Sequence, residues 1–274
     1  MKILLFALVL TSCTSLKPVT AVSDKSLKSL ALFEEIPTTY NAFCEERCQF
    51  NLIRKNQVVR DTAINCDCHL FTDADKATTK VYKAISAYFN SLGEISKGDL
   101  TTYDTKALNE ALVEGKFASL TIDKNTVTAY STLGRVILQA FTDGYRKRKL
   151  KAVIESANPS VQTLLTVFET SMTNLIAELE FQKERNYTLY NELLMERQTG
   201  YDKVKLTTDY YNQINSIQLK QSQLRTFSKS LNTIGKGHQK LFENRNKITT
   251  KEIRQVLGDY SAMLQDLIVD FKKL

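Results

Sequence analysis

From residue 160 to residue 234 the chain contains a single glycine, Gly200, and no proline. A strand-rich fold needs turn-forming residues at every hairpin, so a stretch this long without them predicts helix. The scarcity extends beyond that region, with nine glycines and three prolines in 274 residues. That count argues against a many-stranded sandwich, barrel or propeller. It argues equally against the glycine-rich loops of dinucleotide- and phosphate-binding enzymes. Hydrophobic residues make up 43% of the chain and charged residues 24%, enough apolar surface to exclude disorder. The expected class is all-α: an elongated helical bundle with a long antiparallel coiled-coil-like hairpin and a small N-terminal cap.

Residues 160–199 would form a helix about 60 Å long, with Asn158 and Pro159 reading as its N-cap and first residue. Val161, Phe168, Leu175, Gln182 and Leu189 recur every seven residues, as do Leu165, Met172, Leu179, Asn186 and Leu193. This is the pattern of a coiled-coil seam, interrupted by a polar layer at Gln182 and Asn186. After Gly200, the residues Tyr210, Ile217, Leu224, Leu231 and His238 form a second seven-residue series, with Ile214, Gln221, Ser228 and Phe242 in the companion positions. Folding back at Gly200 gives a hairpin over about 159–246 and brings Gln221 to the depth of Gln182. Residues 178–197 carry five acids and three bases, whereas residues 210–242 carry five cations and no acid. This asymmetry favours pairing of the two helices.

Further helices are expected over 27–35, ended by Pro37; over 39–56; and from Thr72, with Asp75 at the capping-box position, to about Gly93 and Gly98. A short helix over 105–114 follows, with an apolar face of Leu108, Ala111 and Leu112. The next starts at Asp123 or Asn125 and runs to about 156. A last helix begins at Thr249 with Glu252 completing a capping box. The chain then divides into a cysteine-linked cap over 31–71 and a bundle over 72–274. The cap is too small to stand without cross-links.

Those cross-links would come from Cys44, Cys48, Cys66 and Cys68. Cys44 and Cys48 lie one turn apart on one face of a helix and point the same way. Cys66 and Cys68 are also poorly placed to join each other. Two bonds from the helix to the second pair are therefore expected, in either of the two remaining schemes, each contributing on the order of 3 kcal/mol. The rival reading is a zinc site of four thiolates with His69 beside it. Its spacing is not a common zinc pattern, and an exported chain favours oxidation.

Export is read from the first residues. Lys2 precedes eight apolar residues, Ile3 to Leu10, too few to span a bilayer but suited to a secretory signal. Leu10, Thr11, Ser12 and Cys13 follow. This motif resembles the lipobox of bacterial lipoproteins. The resemblance implies a signal peptide over 1–12, diacylglyceryl transfer to the Cys13 sulfur, cleavage before Cys13 and acylation of the new amino terminus. By similarity to enterobacterial sorting, the non-acidic Thr14 implies the outer membrane, facing the periplasm. Residues 13–30 are read as lipid anchor and tether, small and polar at 14–25 with Pro18.

Candidate chemistry is sparse. His69 flanks the cysteines, and His238 falls on the seam of a bundle helix beside Gly235 and Gly237, as a partly buried or hinge residue. No serine pairs with either histidine in a way that suggests a nucleophile. Glu180 and Glu184 share a helix face but have no histidine at di-metal spacing. No catalytic residue, cofactor or metal site is expected. The sharpest surface feature is the cation cluster Arg146, Lys147, Arg148, Lys149 and Lys151, a candidate anion-binding patch. On an exported protein its ligands would be lipid headgroups or anionic polysaccharide, not nucleic acid. Tyr187, Tyr190, Tyr201, Tyr210 and Tyr211 would gather at the hairpin tip, a residue type favoured at recognition surfaces. The expected function is non-catalytic: a lipid-anchored envelope protein serving as a structural, adaptor or partner-binding module, with an envelope protein or a second copy as partner. The alternative is a lipoprotein that binds an anionic envelope polymer or lipid headgroup.

Overall fold

The computed structural model describes residues 16–55, 66–97, 110–142, 146–196 and 199–274, with side chains at all of these except 141, 142 and 146–149. The fold is all-α. Helix α1 (Lys17–Ala31) runs into a 3₁₀ turn (Leu32–Glu35). It is followed by α2 (Tyr40–Arg54), α3 (His69–Lys97), a two-stranded β1 (Gly115–Phe117) and β2 (Leu120–Ile122), α4 (Lys124–Thr142), α5 (Arg146–Met195), α6 (Gly200–Glu243) and α7 (Lys251–Lys272). Helices α5 and α6 pack along their length as the expected antiparallel hairpin. At 50 residues, α5 is about 75 Å long. The seam positions Val161, Leu165, Phe168, Met172, Leu175, Leu179, Ile217, Leu224 and Leu231 are all buried.

Residues 17–30, read above as tether, form most of α1 and lie in the core. Val19, Val22, Ser23, Ser26, Ser29 and Leu30 are buried between α3, α6 and α7. Small residues achieve this through close approach. A Cβ placed on Gly93 of α3 would sit 3.5 Å from Ser23 Cβ, so the two backbones pack nearly side to side. Gly93 lies within α3, which continues to Lys97.

Three helix starts differ from expectation. Asn158 and Pro159 lie inside α5, which begins at Arg146. The Asn158 side chain is used in a core hydrogen-bond network instead of capping a helix. Helix α3 begins at His69, before Thr72 and Asp75. The Asp75 carboxylate instead caps α2, accepting from the backbone N–H groups of Tyr40 (2.8 Å) and Asn41 (2.9 Å). Thr39 Oγ1 adds a third acceptor for the Ala42 N–H, so the start of α2 is well satisfied. The capping residue of α7 is Thr250, and it makes no side-chain cap. The Tyr40 hydroxyl reaches Ser171 of α5 at 3.1 Å and ties this helix to the hairpin.

The segment expected to be one helix up to 156 is divided into α4 and α5. Half of the helix expected over 105–114, residues 105–109, falls outside the described residues. Its last residues, 110–114, are not helical and lead into the β hairpin. That hairpin pairs Gly115 with Ile122 and Phe117 with Leu120. Ala118 supplies its left-handed turn residue, at φ 50, a position glycine usually fills. An aromatic cluster of Phe33, Tyr82, Phe168 and Phe227, with centroids 5.0 to 6.3 Å apart, joins the 3₁₀ turn to α3 and the hairpin.

Candidate functional site

The four cysteines form two disulfides, Cys44–Cys68 and Cys48–Cys66, with Cα separations of 5.7 and 6.1 Å. The pairing is antiparallel, as it must be when a segment folds back along the helix. All four thiols are consumed, so they offer no thiolates to zinc. His69 stands exposed beside Asp67, whose carboxylate raises its pKa by hydrogen bond and charge. Among the described residues, no group of three or more His, Cys, Asp or Glu could hold a metal.

The second histidine is fully buried. His238 is 0% exposed, and its Nδ1 lies 2.9 Å from Asn158 Oδ1 while its Nε2 lies 2.6 Å from the Tyr88 hydroxyl. Asn158 Nδ2 donates to Gln239 Oε1 (3.0 Å), which fixes the Asn158 oxygen toward the ring. His238 is therefore neutral with its proton on Nδ1, and Tyr88 donates to Nε2. Burial lowers the His238 pKa to about 3 and raises that of Tyr88. Gln162 of α5 donates to the Gly235 carbonyl (3.0 Å), adding a second tie between the hairpin helices. Gly235 and Gly237 are not a hinge. Both lie in continuous α6, and Gly237 lets the Tyr260 ring of α7 approach to 3.4 Å of where a Cβ would stand. Its centre, Tyr88, His238 and Asn158, is buried and joins α3, α5 and α6, and Gln239 carries the network out toward the surface, which suits specification of helix register rather than chemistry on a ligand.

Along the hairpin, buried Gln221 donates to Glu180 Oε2 at 2.9 Å, not to Gln182. That bond, and then Lys183, lowers the Glu180 pKa. Gln182 lies on another side of α5, where it lines a groove of about 440 Å³ with Phe50 and Ile53 of α2. Asn186 is buried in the same region. Among the described residues, no ion pair joins residues 178–196 to residues 210–242, and the pair that links the two arms, Glu155 with Arg245, lies at the base. Lys183 pairs with Glu180 on its own helix, and Glu169 reaches Ser228 by hydrogen bond at 3.4 Å.

The two ends of the hairpin differ in character. At the tip, Thr199 and Asp202 form a capping box that starts α6. Of the five expected tyrosines, Tyr190, Tyr210 and Tyr211 pack together near it. Tyr190 and Tyr210 have centroids 5.5 Å apart, Tyr210 and Tyr211 5.4 Å, and Gln213 donates to the Tyr190 hydroxyl. Met195 is 83% exposed and Tyr201 76%, and Tyr187, Val204 and Tyr211 are also exposed. Two helices alone cannot enclose these side chains, so the tip presents apolar and aromatic surface to solvent.

At the other end, Lys151 is exposed. The side chains of Arg146, Lys147, Arg148 and Lys149 lie outside the described residues, although α5 begins at Arg146. Cys13 also lies outside them. Sequence reasoning missed the part α1 plays at this end, because its buried stripe is serine and valine, not the large apolar side chains of an obvious core helix. Among the described residues, no helix is long and apolar enough to cross a membrane. No family model, curated protein or solved structure matches this chain.

Proposed function

We propose that this protein is a lipid-anchored component of a bacterial envelope, acting as a non-catalytic structural, adaptor or partner-binding module. The observation that carries the reading is the hairpin tip, where Met195, Tyr201, Val204 and Tyr211 stand exposed at the end of a helix about 75 Å long. A rigid arm with an aromatic end suits presentation of a contact surface at a distance from an anchor. The anchor is Cys13, preceded by Leu10, Thr11 and Ser12. The placement of the histidines favours the non-catalytic reading: His238 is enclosed, and His69 is engaged with a single carboxylate. Outer-membrane placement rests on Thr14 alone.

Two measurements test this. Intact mass of the membrane-extracted protein should show an acylated chain beginning at Cys13, and Cys13→Ala should abolish both the acylation and the cleavage, leaving residues 1–12 on the chain. Mild cross-linking in native membranes should capture a recurring protein partner, which substitution of Tyr201 and Tyr211 by serine abolishes. An unacylated mature chain would overturn the anchor, and capture unchanged by the tip substitutions would overturn the role of the tip.

A further inference from the structure

The end of the bundle opposite the tip gathers six helix ends. The Ser261 hydroxyl donates to the Ala21 carbonyl and Lys25 reaches Gln265, so α1 and α7 run parallel from this end, with α7 beginning the farther out. Thr20 meets Ser96 at 2.7 Å and Lys97 meets Asp24 at 3.1 Å, which brings the end of α3 beside the start of α1. Arg245 bonds Glu155 at 2.8 Å, placing the close of α6 beside the third turn of α5, whose first turns project past it. Helix α4 ends at Thr142, three residues before α5.

Charge is concentrated in two of the segments that meet here. Residues 146–155 and 236–254 contain eleven cations and three acids, more net positive charge than the +7 of the entire chain. Of the three acids, Glu155 is paired with Arg245 and Glu243 with Lys240. Lys151, Lys236, Lys247, Lys251 and Arg254 are exposed and form no ion pair with another described residue. Helix α5 moreover opens on four consecutive cations with no acid in its first turn, the sign its own dipole opposes. An anionic surface laid across this end would relieve both the mutual repulsion and the conflict with the dipole.

The chain's path supplies the occupant. Residue 16 already packs against the core, so Cys13 stands only three residues from the bundle. At 3.3–3.6 Å per residue, that is a reach of about 11 Å, comparable to the Debye length of about 8–10 Å in physiological salt. We propose that this end is a docking surface for anionic lipid headgroups, which sets the hairpin upright on the membrane. The acyl chains hold the protein there, and the charged end orients it. The surface itself does not require the lipid anchor; only its orienting role rests on the reading of Cys13.

The test uses the mature chain from residue 13 with Cys13→Ala, so that neither the apolar signal residues nor an acyl group contributes, and flotation with vesicles of phosphatidylcholine alone or with phosphatidylglycerol added. Binding is expected only to the anionic vesicles and should fall steeply with salt. Replacing Lys247, Lys251 and Arg254 with glutamine should weaken it by about fivefold per cation removed. Replacing Lys116, Lys203 and Lys205, which lie away from this end, should leave it unchanged. Absence of binding at low salt, equal binding to neutral vesicles, or equal losses from the two variants would each overturn the proposal. Mass analysis of Cys13 is independent of all these outcomes, so failure of the anchor and failure of the surface are separately visible.

Discussion

The imidazole of His238 receives the Tyr88 hydroxyl at 2.6 Å in a place where neither side chain meets water. Protonating this ring would put a second hydrogen between the two and strand a charge in an apolar core. The unfolded chain takes up that proton near 6.5, whereas the folded chain holds it off until about 3. Below pH 6.5 the unfolded state therefore binds more protons. This contribution to stability is fully present above 6.5 and is lost progressively as the pH falls toward 3, by up to a few kcal/mol. Urea unfolding across that range should show the decline, and His238→Gln should flatten it.

Tyr88→Phe removes the one donor to His238 Nε2 while keeping the ring. The acceptor left unsatisfied in the core should cost about 1–3 kcal/mol. At neutral pH the loss should appear as a lower urea midpoint with an unchanged slope.

Asp75 caps a helix that is not its own, satisfying the Tyr40 and Asn41 N–H groups at the start of α2. Asp75→Ala should destabilise the protein by about 1–2 kcal/mol. Hydrogen exchange should locate the effect, with faster exchange in the first turn of α2 and little change in α5 and α6.

The two disulfides enclose sequence separations of 24 and 18 residues. Peptide mapping without reduction should recover Cys44 linked to Cys68 and Cys48 linked to Cys66; the other cross-pairing would contradict the fold-back geometry. Replacing Cys44 and Cys68 with serine should cost about 3 kcal/mol.

The parts legible in the sequence were those that large apolar residues repeat. The seven-residue series from Val161 to Leu189 and from Tyr210 to Leu231 mark the hairpin, and Gly200 marks its turn. Helix α1 was obscured because its core stripe, Ser23, Ser26 and Ser29, has the composition of a linker. Its burial depends on Gly93 of a helix 70 residues away in sequence. Pro159 read as a start signal because local rules favour it there, but packing of α5 through the Asn158–His238 network overrides them. The β hairpin turns on Ala118, a residue with no turn signature. At the candidate surfaces, the tyrosines and cations were evident individually. Their segregation to opposite ends, and the nearness of the start of α1 to the cationic end, depend on tertiary contacts that join residues more than 200 apart, such as Ala21 with Ser261.

The orientation of the hairpin is tested most directly by placing a photoreactive residue at Lys151 or at Tyr201 and irradiating native membranes. Lys151 should label lipid, and Tyr201 should capture a recurring protein while labelling little lipid. Lipid labelling from Tyr201 with protein capture from Lys151 would contradict the account by reversing the molecule on its membrane.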